Sequence, residues 1–112
     1  MSAIAAAKPS RADRIAAECA AIAASGVCVA SHELRAGDHV RLIVCDDPDF
    51  NVGAYCRVVT VFEGEHPPIN VAAAKKYGDP LRNVMTNRWT GVPTRMLHSR
   101  PGNRFQIISR KE

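Results

Sequence analysis

The side chains with most to offer chemically stand in "NRWTGVPTR", residues 87–95, where the single tryptophan, Trp89, follows Arg88 and precedes Arg95. A flat indole among guanidinium groups is the combination that binds single-stranded nucleic acid, because cations track phosphates and an aromatic face stacks a base. The same half of the chain adds Lys75, Lys76, Arg82, Arg100 and Arg104, with Tyr77 as a second flat surface. Arg88, Arg95, Arg100 and Arg104 are the expected phosphate contacts, and Trp89 is the candidate stacking plate. The ordinary fate of tryptophan is burial with its N–H bonded, so in a chain this poor in aromatics Trp89 could instead plug the end of a core. If 87–97 were one strand, Trp89, Pro93, Arg95 and Leu97 would share a face, with Arg88 on the other.

The net charge of +4 conceals a division. Residues 1–65 carry six Lys/Arg against nine Asp/Glu, a net −3. Residues 66–111 carry nine Lys/Arg against Asp79 alone, a net +8, and Glu112 ends the chain. Clustered positive charge gathers anionic partners, so nucleic acid is the first expected partner and an acidic protein the second. The opposed halves also allow homodimerisation. An acid loop at Asp46, Asp47 and Asp49 discriminates between the two partners: folded beside Arg88 and Arg95, it would neutralise a nucleic-acid groove and favour a protein.

Other chemistries lack their residues. Cys28 and His32 are four apart, but there is no Cys-x-x-Cys pair and no known zinc spacing. "DPDFNVG" alternates oxygens like a calcium loop, yet Val52 occupies the sharp-turn position and Val58 the place of the bidentate Glu. His98 and Ser99 are adjacent, so on a strand they point apart and cannot act as base and nucleophile. No glycine-rich turn opens a helix after a strand. "IAASGVCVASHELRAG" has the outline of a helix-turn-helix, but His32 and Arg35 fall where that motif needs apolar residues. The expectation is a non-catalytic binding module with no cofactor and no metal.

The elements that must position these residues begin with a helix over 10–25. Ser10 and Asp13 have capping-box spacing, Ile15, Cys19 and Ile22 form a narrow apolar stripe, and Gly26 is a stop. Residues 1–9 read as a flexible start, and 10–112 as a single domain, β-rich over 34–110. "VCVA" reads as a short strand. "LRAGDHVRLIVC" reads as a strand with Val40, Leu42 and Val44 on one face and Arg41, Ile43 and Cys45 on the other. "AYCRVVTVFEG" is apolar on both faces near its centre, so both faces should be covered, with the helix over Ile43, Val59 and Val61. "NVAAAKKYG" predicts a short inserted helix with an Asn cap and a Gly stop. "RNVMTNRWTG", "VPTRMLHS" and "RFQIISR" predict further strands, the last two separated by a turn at "RPGN". The chain has 46% apolar and 23% charged residues, which suits a folded domain, and no 18-residue apolar run to span a membrane. The stretch "MSAIAAAKPSR" lacks a signal-peptide core, so a cytoplasmic protein with Cys19, Cys28, Cys45 and Cys56 reduced is expected.

The order "GDHVRLI", long loop, "AYCRVVTV", short strands, arginine-bearing turn, "FQII" resembles SH3-like small barrels over roughly residues 34–109. That resemblance implies a mainly β (α+β) fold, an SH3-like barrel or a strongly bent antiparallel sheet, with the N-terminal helix on its outer face. "AGDHVRLIV", Arg57 in "CRVVTV" and Thr86 in "VMTN" also resemble, in their order, toxin endoribonucleases of the MazF type. Val58 stands where that family has Pro after its Arg, and the family's Glu/Gln loop is absent. The functional expectation is therefore nucleic-acid binding through the basic half. A protein-binding regulator or inhibitor is the alternative, and a MazF-type ribonuclease the third.

Overall fold

Ser10 opens a helix as its spacing with Asp13 requires. The Asp13 N–H donates to Ser10 Oγ at 3.1 Å, and the Ser10 N–H donates back to Asp13 Oδ2 at 3.3 Å. Helix α1 runs Arg11–Ala24 and stops at Ser25 before Gly26, whose φ of 80° suits glycine. The computed structural model describes residues 9–98 and 102–110. The expected flexible start at 1–9 lies almost wholly outside them.

Six strands follow: β1 (His39–Val44), β2 (Tyr55–Val61), β3 (Ile69–Ala73), β4 (Met85–Thr86), β5 (Pro93–Leu97) and β6 (Arg104–Ser109). They form one antiparallel sheet in the order β4-β5-β3-β2-β1-β6. The sheet is open, where a closed SH3-like barrel stood among the expectations. Two features explain the difference. Strand β4 is two residues long, too short to close on β6. The outer side of β6 is taken instead by Val29, which exchanges two backbone hydrogen bonds with Phe105 at 2.8 and 2.9 Å. The predicted "VCVA" strand is thus reduced to one bridge.

The inserted helix predicted over 70–78 does not form. Its first half is β3, and one turn of 3-10 helix, Lys75–Tyr77, follows. The alanines favour a helix in isolation, but Asn70 and Ala72 find ladder partners on both sides, in β2 and β5. Tertiary pairing outweighs a propensity difference of less than about 1 kcal/mol per residue. The predicted strand over 82–91 shrinks to Met85–Thr86, because Asn87 starts a turn.

One face of the sheet carries the core: Val40, Leu42, Cys56, Val58, Ile69, Val71, Leu97 and Phe105, closed over by Leu34, Phe50, Ala54 and Leu81. A register shift between Val58 and Thr60 turns Val61 to this side, opposite Ile69. Val61 therefore does not lie under the helix, as expected from strict alternation. Helix α1 packs on the other face at β1, where Ile43 is buried. There the buried Arg41 pairs with Glu18 and donates Nε–H to the Gly53 carbonyl at 3.0 Å. Gly53 has φ 92°, and a Cβ on it would meet Ile15 Cγ2 at 2.3 Å, so the helix seats directly on this glycine. Among the described residues no helix is long and apolar enough to cross a membrane.

Candidate functional site

Paired residues of an antiparallel sheet point to the same face. One row crosses the whole sheet: Met85, Thr94, Ala72, Arg57, His39 and Ser109, from β4 to β6. This row lies on the face opposite the core. At its β6 end the turn after β3 folds back over it. The Tyr77 ring sits edge-on to the His39 ring, 5.1 Å between centroids, and tilts against Tyr55 at 6.3 Å. Gly78 makes this approach feasible: a Cβ there would fall 2.6 Å from the Tyr55 ring.

The result is a cleft of about 370 Å³ lined by Gly37, His39, Arg57, Lys76, Tyr77, Ser109 and Arg110. Its floor is a hydrogen-bonded chain, with Tyr77 Oη 3.0 Å from Ser109 Oγ and Ser109 Oγ 3.4 Å from His39 Nδ1. If Tyr77 donates to Ser109 and Ser109 to Nδ1 of a neutral imidazole, all three groups are satisfied. Burial, with Lys76 and Arg57 nearby, lowers the His39 pKa, so the neutral ring is favoured; Asp38 opposes this weakly. The Ser109 hydrogen bond and the adjacent Lys76, 5.3 Å over its ring, hold the Tyr77 hydroxyl below its ordinary value against a smaller burial effect.

Among the described residues no carboxylate lines the cleft. Asp38 is buried behind it and is held by Arg110, through Nε at 3.0 Å and Nη2 at 2.8 Å, and by the Arg35 N–H at 2.9 Å. Arg110 is therefore neutralised. Among the described residues neither Arg57 nor Lys76 has a carboxylate partner. The cleft thus carries two uncompensated positive charges beside two hydroxyls.

The described candidate residues from the sequence are spread over four places. Lys76 lines the cleft, and Lys75 is exposed on the same turn. Arg88 and Trp89 form the tip of the β4–β5 hairpin, where the Asn87 side chain accepts from the Trp89 and Thr90 N–H groups at 2.8 and 3.1 Å. Trp89 is 87% exposed and the neighbouring Met85 74% exposed. The turn carries the indole beyond the sheet, away from any core it could plug.

Arg82 and Arg95 both border the loop between β1 and β2. Arg95 stacks on Phe50 at 4.9 Å and donates to the Asn83 carbonyl at 3.2 Å. The turn at 87–92 interrupts the single strand imagined over 87–97, so Trp89 and Arg95 do not share a strand face. The Arg82 N–H donates to Asn51 Oδ1 at 3.0 Å, and Arg82 lines a second hollow of about 490 Å³ beside the Arg11–Asp79 ion pair. Arg104 begins β6, at the edge opposite β4. Arg100 lies outside the described residues.

The described cations of the second half therefore do not form one continuous patch. The cleft assembles partly from residues that sequence reasoning did not select, His39, Ser109 and Arg110, and from Arg57, which it noted only for the ribonuclease resemblance. The signal for His39, Arg57 and Ser109 is a polar side chain on an otherwise apolar strand, and Arg110 directly follows β6. Arg57 and Thr86, the pair behind the ribonuclease resemblance, stand on strands three steps apart, about 14 Å at ordinary spacing. Among the described residues no group of three His, Cys, Asp or Glu could hold a metal. Comparison with protein-family models, with curated proteins and with solved structures finds no match to this chain.

Proposed function

We propose that this protein binds nucleic acid without catalysis, along the sheet face that runs from the cationic cleft to the β4–β5 hairpin. The observation that carries this reading is the cleft itself: Arg57 and Lys76 without acidic partners among the described residues, beside half-buried hydroxyl and imidazole groups. The same face continues through Ala72, Thr94 and Met85 to the hairpin that carries Arg88 and the exposed Trp89. Cleft and hairpin supply the two requirements of a single-strand site, cations for phosphate and a flat plate for a base. Lys75 and Lys76 stand at one end of this path and Arg88 at the other.

The test is a fluorescence-anisotropy titration with single- and double-stranded DNA and RNA at low and moderate salt. Binding should weaken steeply with salt. Arg57→Gln and Lys76→Gln should each lower the slope of log affinity on log salt by roughly one. Absence of binding at low salt would remove the proposal.

A second reading, docking on an acidic protein as a regulator or inhibitor, has its own support. The acid loop folds against the Arg82–Arg95 side: Asn83 Nδ2 donates to the Asp49 carbonyl at 3.0 Å, and Phe50 lies under Arg95. Mixed charge on that side suits a protein surface better than a phosphate backbone. The two readings separate by which substitutions matter: Arg95 and Arg82 for a protein, Arg57 and Lys76 for nucleic acid.

A further inference from the structure

We infer that the cleft between β1, β2, the end of β6 and the Lys75–Tyr77 turn holds a terminal phosphate, the phosphomonoester at one end of a nucleic-acid strand. This deepens the nucleic-acid reading and rests on it for the source of the ligand. Charge matching is the first argument. With Arg110 neutralised by Asp38, the cleft has, among the described residues, two uncompensated cations, Arg57 and Lys76. A phosphodiester carries one negative charge, whereas a phosphomonoester carries close to two above its second ionisation near pH 6. Only the monoester balances the site.

Donor count is the second argument. The Arg57 guanidinium, the Lys76 ammonium and the Nε2–H left on the neutral His39 ring offer several donors around one small volume. A monoester has three terminal oxygens to receive them, against two on a diester. Size is the third. About 370 Å³ lies at the small end of ligand pockets, room for one nucleotide end rather than for a strand passing through. From Arg57 to Met85 the row spans three strand spacings, about 14 Å, a distance the next nucleotides can cover to reach the hairpin.

The experiment uses the full chain and one single-stranded oligonucleotide in three forms: 5′-phosphorylated, 3′-phosphorylated and hydroxyl at both ends. Anisotropy at about pH 8 keeps the phosphate dianionic. One phosphorylated form should bind about tenfold more tightly than the hydroxyl form, the size of one charge-assisted hydrogen-bonded contact. Lys76→Gln, on an exposed turn, should abolish that preference, as should Arg57→Gln, while Trp89→Ala keeps it. Equal affinity for all three forms, or a preference that survives both cleft variants, overturns the inference.

A parallel titration with inorganic phosphate, read by NMR on the His39 ring, separates the two levels. If no oligonucleotide binds but phosphate shifts the His39 signals in wild type and not in Lys76→Gln, the monoester site stands and its nucleic-acid source is wrong. If phosphate leaves His39 unmoved and the oligonucleotides bind regardless of their ends, the nucleic-acid reading stands and the terminal site is wrong.

Discussion

Asp38 and His39 are neighbours whose titrations act through opposite charges yet in the same direction. Asp38 is 1% exposed. Burial alone would raise its carboxyl, but hydrogen bonds from Arg110 and the Arg35 N–H outweigh burial and hold it below the usual 3.8. Its contribution to stability is present above that value and is lost as pH falls through the depressed folded value. His39 is lowered from 6.5 by burial and by Lys76 and Arg57. Protonation therefore favours the unfolded chain, and stability is lost as pH falls below 6.5. The two windows are separate. Thermal unfolding should shift to lower temperature between about pH 7 and 5, and His39→Gln should flatten that slope. Equal slopes in the two proteins would contradict the burial of a neutral ring. At this scale the sequence was partly legible. Arg57 stood out as a charge within "CRVVTV", whereas His39 and Ser109 acquire meaning only through a pairing that joins residues 70 positions apart.

The β4–β5 hairpin and helix α1 show how far local signals reach. In α1 both partners of the capping box and the stop glycine are adjacent in sequence, so the element was readable from end to end. Residues 70–78 were not, because a helix-compatible string of alanines is claimed by ladders on both sides, and those ladders come from distant segments. Trp89 could not be placed from sequence either. Its position depends on Asn87, whose carboxamide closes the turn and leaves the indole outside the sheet. That exposure separates function from stability. Trp89→Ala should change stability by less than about 0.5 kcal/mol. It should weaken single-strand binding by about 1–3 kcal/mol, the contribution of one stacked base. Thermal unfolding and anisotropy on the same variant check both values. Loss of stability without loss of affinity would return Trp89 to a structural role.

Over the whole molecule the −3 and +8 halves of the sequence do not remain separate. Arg11 pairs with Asp79 and Asp38 with Arg110, each tie joining the two halves. The acid loop folds beside Arg82 and Arg95, and β6 takes Arg104 to the far edge of the sheet. Complementary charge, the motive for homodimerisation read from the sequence, is thus partly satisfied within one chain. Charge counted along a sequence overestimates the basic surface, because folding chooses which cations keep their acids. Among the described residues, the set of cations that lines one sheet face is narrower and better defined: a cleft and a hairpin tip.

Amide NMR mapping of the full chain with a short single-stranded oligonucleotide tests that placement most directly. The perturbed signals should gather at His39, Arg57, Lys76, Tyr77 and Ser109 and reappear at Arg88 and Trp89. Perturbations confined to α1 or to the 46–49 loop, or none at low salt, would contradict it.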